Sequence, residues 1–281
     1  MGEVKCQLYT TEAVDAQRCI DLLRSIRDSV APDLSGEYLR PSDRDPITFS
    51  DISALDAEQI GHWEGQFAIA FSSERACMTG GADLFMLRKP GRRIDLASAA
   101  HFQQNCLTFE FKSSPSQAAS FREPLVALIA SIAKCVRLTY GYAEFGLTCA
   151  PVERHPAGLE GGLPGVYWIN VLGKEFIDAI GRERILNSRV TSSVRLPGSA
   201  VLLEAWHDPA GDNSGKAREL IAALGEDALA PATLIPQGPQ SGRISLFGLI
   251  RDVVESRASR IAAMRRAARA PRFEWGGLFI R

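Results

Sequence analysis

Three features of the 281-residue chain predict an α+β fold of antiparallel sheets flanked by helices. Short alternating apolar runs rich in aromatics recur, amphipathic stretches of helical period separate them, and Gly/Pro/Asp-rich segments punctuate both. The order strand–helix–strand–strand opens the chain and returns from residue 105, predicting two related β-α-β-β halves alike in architecture but not in sequence. The boundaries that follow are an N-terminal half over 1–100, a C-terminal half over 101–235, and a linker with a basic amphipathic helix over 236–281.

VKCQLYT (4–10) alternates and reads as a strand. In the next stretch, Val14, Cys19, Ile20, Leu22, Leu23 and Ile26 recur near helical spacing, with Thr11 placed to cap the helix. From Asp33 to Glu58, Pro, Asp and Ser predict an irregular excursion. QFAIAFSS (66–73) and ADLFMLRK (82–89) read as strands, with Gly80 and Gly81 as the turn between them.

NCLTFEFKS (105–113) is a strand by its alternation, and SSPSQAASFREPLVALIASIAKCVRL follows as a helix. Ser114 is placed to cap it, Pro115 suits the first turn, and Pro124 marks a kink or restart. YAEFGLTCA (142–150) and VYWINVL (166–172) read as strands around a loop, and KEFIDAIG as a short helix. VTSSVRL and SAVLLEAW are strands, and GKARELIAALGE closes the series as a helix. Beyond PQGPQSG (236–242), Ile250, Val254, Ile261, Met264 and Ala268 line one face of a helix that carries arginines on the other. That stripe predicts docking on the body.

Hydrophobic residues at 46% and charged residues at 23% provide for a sizeable core under a hydrated surface. No segment approaches the roughly 20 apolar residues of a membrane span. The opening MGEVKCQLYT has no apolar run after positive charge, so no secretory signal is read and a cytoplasmic location is expected. The six cysteines (Cys6, Cys19, Cys77, Cys106, Cys135, Cys149) include no close pair, which predicts reduced structural thiols. Residues 241–281 hold nine Arg against three Asp/Glu, a net +6 within a chain total of −1, which leaves −7 for residues 1–240. An acidic body disfavours direct nucleic-acid binding and favours a basic partner.

Motifs that would carry chemistry are sparse. GDNSGK (211–216) has three residues between its glycines and Ala217 after the lysine, whereas a phosphate loop needs four and a hydroxyl; it reads as a turn before a helix near Ser214. His62, His101, His155 and His207 form no zinc spacing, and no cofactor or metal is expected. One enzymatic alternative stands out. Glu110 and Lys112 share a strand face, and Asp95 upstream would complete the Asp…Glu-x-Lys set with which restriction-type nucleases hold magnesium and activate water. An ion pair on an exposed sheet face is the better account of Glu110 and Lys112, and the nuclease set stands as the alternative.

At LEGGLPGVYWINVLGKEFIDAIG (159–181), alternation sets Tyr167, Ile169 and Val171 against Trp168, Asn170 and Leu172, and Gly173 is expected to supply a special backbone angle into the next helix. No nucleophile or phosphate cradle stands in it, so the junction is built for packing. Together with LTYGYAEFGLT (138–148), this series resembles the type VI secretion immunity family. By position, Gly141, Tyr142, Gly165, Trp168, Asn170, Leu172 and Gly173 match the family pattern, and the resemblance spans roughly residues 100–225. It implies a cytoplasmic, non-enzymatic protein that binds a cognate effector toxin and neutralises it; a nuclease is one effector that an acidic inhibitor would suit. Asp43, Asp45, Asp51, Asp56 and Glu58, clustered in the acidic excursion, are expected to contribute to the partner surface. The acidic excursion and the basic C-terminal extension depart from the family pattern.

Overall fold

In the first strand, Gly2–Thr10 (β1), Val4, Cys6 and Leu8 are fully buried on one face, while Lys5, Gln7 and Tyr9 point to the other. The computed structural model describes residues 2–12, 14–39, 47–49, 65–86, 105–146, 163, 165–188, 190–225 and 228. β1 sits centrally in a single antiparallel sheet of ten strands, ordered β3-β2-β4-β5-β6-β1-β7-β8-β10-β9. The other strands are Ser35–Leu39 (β2), Ile47–Phe49 (β3), Gly65–Ser73 (β4), Met78–Met86 (β5), Asn105–Ser113 (β6), Tyr140–Phe145 (β7), Ile169–Leu172 (β8), Ser192–Arg195 (β9) and Val201–Glu204 (β10). The α+β antiparallel class holds, and the sheet runs unbroken from β5 into β6 across residue 100.

Two helices cover one face. Ala16–Ser29 (α1) buries Cys19, Ile20, Leu22, Leu23 and Ile26, and Arg122–Cys135 (α2) buries Leu125, Leu128, Ile129 and Ile132. Both ridges follow the helical period, and α1 meets α2 where Ser25 and Cys135 lie 3.2 Å apart. Beneath them lie Leu107, Phe109 and Phe111 of β6 with Val4, Cys6 and Leu8, and Phe111 packs on Phe121 at 5.2 Å. α2 carries the chain from β6 to β7 across β1, a split β-α-β crossover.

Several local expectations are corrected. Asp15, not Thr11, caps α1 by accepting the Arg18 amide hydrogen at 2.8 Å. The excursion after Asp33 contains β2 and β3. The turn between β4 and β5 falls at residues 74–77, and Gly80 and Gly81 lie inside β5. Gly80 is there for close approach, since a Cβ would stand 2.3 Å from the Phe71 ring and 2.5 Å from the Thr108 carbonyl. The break in the long helix comes at a 3-10 turn, Ala119–Phe121, and Pro124 follows in the first turn of α2. Ser114 occupies the cap position of a short turn, Pro115–Ala118, but its hydroxyl bonds Gln117 Oε1 at 2.8 Å and no backbone amide.

Beyond β8 come the short helices Lys174–Ile180 (α3) and Arg182–Asn187 (α4), then Ser214–Leu224 (α5). Among the described residues, no helix is long and apolar enough to cross a membrane. The five described cysteines are free; Cys6, Cys19 and Cys106 are buried, and burial pushes the Cys19 thiol up to about 12. The segment 236–281 and Cys149 lie outside the described residues.

Candidate functional site

On the face away from α1 and α2, register decides which polar side chains meet. Gln7 stands between Thr108 of β6 and Tyr142 of β7, and Tyr142 stands beside Asn170 of β8. The hydroxyls of Tyr9 and Tyr142 both donate to Gln7 Oε1. Asn170 closes the row, and Tyr167 stacks on Tyr142 at 4.6 Å. Tyr167 therefore lies on the side of Asn170, against the alternation read from sequence, because β8 begins only at Ile169 and Trp168 forms a bend before it. All of these side chains are buried. Gln7 Oε1 gathers two tyrosine hydroxyls and the Asn170 amide bonds the Tyr167 backbone, so this row specifies packing and register.

The other motif residues serve the same junction. Leu172 is buried opposite Tyr140, Gly141 lies between Leu8 and Val171, and Gly165 sits against the Tyr167 ring. Trp168 is fully buried, and its indole N–H has no partner among the described residues. Gly173 adopts φ −72°, ψ 173°, a conformation open to any residue. It is required by contact, since a Cβ would lie 2.5 Å from the Thr139 carbonyl oxygen.

The residues considered for nuclease chemistry are placed differently. Glu110 and Lys112 share this face, as read from sequence, but Glu110 pairs with Lys5 at 3.3 Å. Lys112 stands opposite Glu3 and is exposed. Asp95 lies outside the described residues, as do Asp43, Asp45, Asp51, Asp56 and Glu58. Among the described residues, no group of three or more His, Cys, Asp or Glu is placed to hold a metal ion. Of the acidic stretch, Asp33 is visible: it accepts from the Ser73 hydroxyl and the Arg75 amide, which hold its carboxyl below the usual range.

A cleft of about 320 Å³ opens where β7 ends beside the start of α5. It is shallow and mostly polar, with Glu144, Asn213 and Ser214 in its lining beside Phe145 and Ala217, while Trp206 and Pro209 are buried behind it. The Glu144 carboxylate accepts the backbone N–H of Trp168 at 2.9 Å and of Phe145 at 3.1 Å. Burial nevertheless dominates and pushes its pKa up to about 7, against the lowering effect of those two bonds. Lys5, its cross-strand neighbour, is committed to Glu110 and Glu3. The loop into α5 is held by Asn213, which donates to the carbonyls of Asp208 and Gly211, and by Asp212, which accepts the Ser214 amide. GDNSGK is thus the turn expected before this helix. Sequence reasoning did not single out Glu144 or Trp206. The available signal was a carboxylate inside the aromatic strand YGYAEF, where an acidic residue needs a reason.

No family model matches the chain, and no curated protein matches it by sequence. Among solved structures it is similar in fold to the Pseudomonas aeruginosa T6SS protein PA0821, with a TM-score of 0.58. The two are 15% identical, and the match covers 95% of this chain and 82% of that one. At that identity the likeness is one of fold.

Proposed function

We propose that this chain is an immunity protein of a type VI secretion system, which binds a cognate effector toxin and neutralises it without making or breaking a bond. The observation that carries the reading is the likeness of fold to a T6SS protein over 95% of the chain. The motif series from Gly141 to Gly173 supports it independently. Those residues are packed into one junction, as a rigid scaffold presenting a fixed surface requires. Charge supports it too, because an acidic body of net −7 over residues 1–240 would hasten capture of a basic toxin.

The test is co-expression with the product of the neighbouring reading frame, which this reading expects to be the toxin. Growth rescue and a complex that survives size-exclusion chromatography are expected. No rescue and no complex overturns the reading, as does magnesium-dependent DNA cleavage by the purified protein that Glu110→Ala abolishes. Reversing Asp43, Asp45, Asp51, Asp56 and Glu58 together is expected to slow association at low salt; an unchanged rate removes that stretch from the contact surface.

A further inference from the structure

β9 is the last strand on its side of the sheet, and Ser193, Val194 and Arg195 are exposed. Such an edge turns a row of backbone N–H and C=O groups outward, and among the described residues nothing bonds them. Val194 is 39% exposed, one of two large hydrophobic side chains so exposed among the described residues. By register it stands in line with Leu202, Val171, Gly141 and Leu8, on the face that α1 and α2 cover. A further strand on this edge would therefore extend the helix-covered face by one apolar position.

α2 runs beside the same hairpin. Arg122 pairs with Glu204 at one end, and Arg137, just past the helix, lies against Gly198 at the other. Val126 and Ala130 follow Arg122 at four-residue intervals, away from the Ser25–Cys135 contact, and both are only partly buried. Charge narrows the occupant. Residues 184–203 hold three arginines and no acidic residue, although residues 1–240 carry a net −7. Arg195 is exposed on β9 itself, and Arg122 engages Glu204 through Nε, which leaves its outer nitrogens toward solvent.

We propose that β9 receives an extended acidic segment of a protein partner as an added strand, with an apolar side chain beside Val194 and carboxylates toward Arg195 and Arg122. The unpaired ladder selects an extended backbone, since only that matches its spacing. The arginines select acidic side chains over basic ones. A second copy of this chain fits less well, because pairing two identical edges sets one basic stretch against another. The proposal goes beyond the immunity reading and holds whether or not the partner is a toxin.

The probe is the peptide acetyl-Glu-Thr-Val-Thr-Val-Thr-Glu-amide, titrated into the full-length protein beside a lysine-ended peptide with the same core. Binding is followed by two-dimensional 15N NMR of the amides of residues 192–196. The acidic peptide is expected to shift these signals saturably, with the lysine-ended peptide roughly tenfold weaker. A fully N-methylated version of the acidic peptide, which cannot donate to the ladder, is expected to leave them in place. Arg195→Glu, a change at an exposed position, is expected to abolish the preference for acidic ends while leaving the thermal midpoint close to that of the parent. Equal binding of the two charged peptides overturns the proposal, as does equal binding of the N-methylated version. The absence of a saturable shift to about 10 mM overturns it as well. A dimer of the protein alone in sedimentation velocity, with these same amides protected from hydrogen exchange, would give the edge to a second copy and overturn it too. Should Arg195→Glu fail to fold, the peptide comparison on the parent protein still decides.

Discussion

The Asn170 side chain grips the backbone of Tyr167 at both ends: Oδ1 accepts the Tyr167 N–H at 2.9 Å, and Nδ2 donates to the Tyr167 carbonyl at 2.6 Å. This pair of bonds turns the chain at Trp168 and lays the Tyr167 ring on Tyr142. The site is buried, so no water stands ready to replace either bond. Asn170→Ala is expected to cost about 2–3 kcal/mol of unfolding free energy, as two buried backbone groups lose partners. Urea denaturation measures it, and a loss below about 0.5 kcal/mol, the scale of an ordinary surface substitution, would mean the clamp does not hold the turn.

Gly173 makes a sharper steric case. A Cβ there would stand 2.5 Å from the Thr139 carbonyl oxygen, 2.6 Å from that of Leu138 and 2.7 Å from Thr139 Cα. All three are backbone atoms and cannot rotate away. Gly173→Ala is expected to cost about 1–3 kcal/mol, as overpacking does, and to lower the thermal midpoint accordingly. An unchanged midpoint would show that the β7–β8 junction can spread without penalty.

The ion pair between Arg122 and Glu204 joins the start of α2 to β10. Arg122 Nε reaches both carboxylate oxygens at 2.8 Å, Ser192 donates to one at 2.7 Å, and Glu204 is 1% exposed. Removing the guanidinium leaves a buried charge, so Arg122→Met is expected to cost about 3–5 kcal/mol. Arg122→Met combined with Glu204→Leu is expected to recover most of that loss, because the stranded charge goes with its partner. Equal stability of the single and double variants would contradict this account.

Much of the fold was legible because period survives in the sequence. The apolar residues of α1 recur as its burial does, and those of β1 and β6 alternate although both strands are buried on both faces over much of their length; both patterns are local. Long-range pairing was not legible. Nothing in VKCQLYT says that it will lie between strands beginning at residues 105 and 140. The glycines misled for the same reason: Gly80 and Gly173 are needed for neighbours remote in sequence, Thr108 and Thr139, and a lone chain shows a turn instead. Glu144 escaped notice because its singularity lies in what surrounds it. A carboxylate in YGYAEF was a faint signal, and its desolvation shows only when Trp168 and the loop before α5 close over it. The motif residues Tyr142, Trp168, Asn170 and Leu172 are buried at the junction of β7 and β8.

Glu144 also sets a pH dependence whose sign is fixed. Its folded-state pKa of about 7 lies above the ordinary 4.5, so the folded chain holds that proton more tightly than the unfolded one. Stability from this group is fully present below about pH 4.5 and is lost as pH rises through about 7. Each pKa unit corresponds to about 1.4 kcal/mol, so the drop is at most about 3 kcal/mol, and partial exposure of the side chain keeps it smaller. Tyr167 faces the carboxylate, and burial pushes its phenol well above this window. In the loop before α5, the hydrogen bond from the Ser214 amide holds the Asp212 carboxyl below the usual range. The difference in unfolding free energy between the parent and Glu144→Gln, followed by denaturant titration from pH 5 to 8, should therefore shift steadily in favour of the glutamine variant. A difference that stays flat over that range would mean the carboxylate is better solvated than the cleft allows.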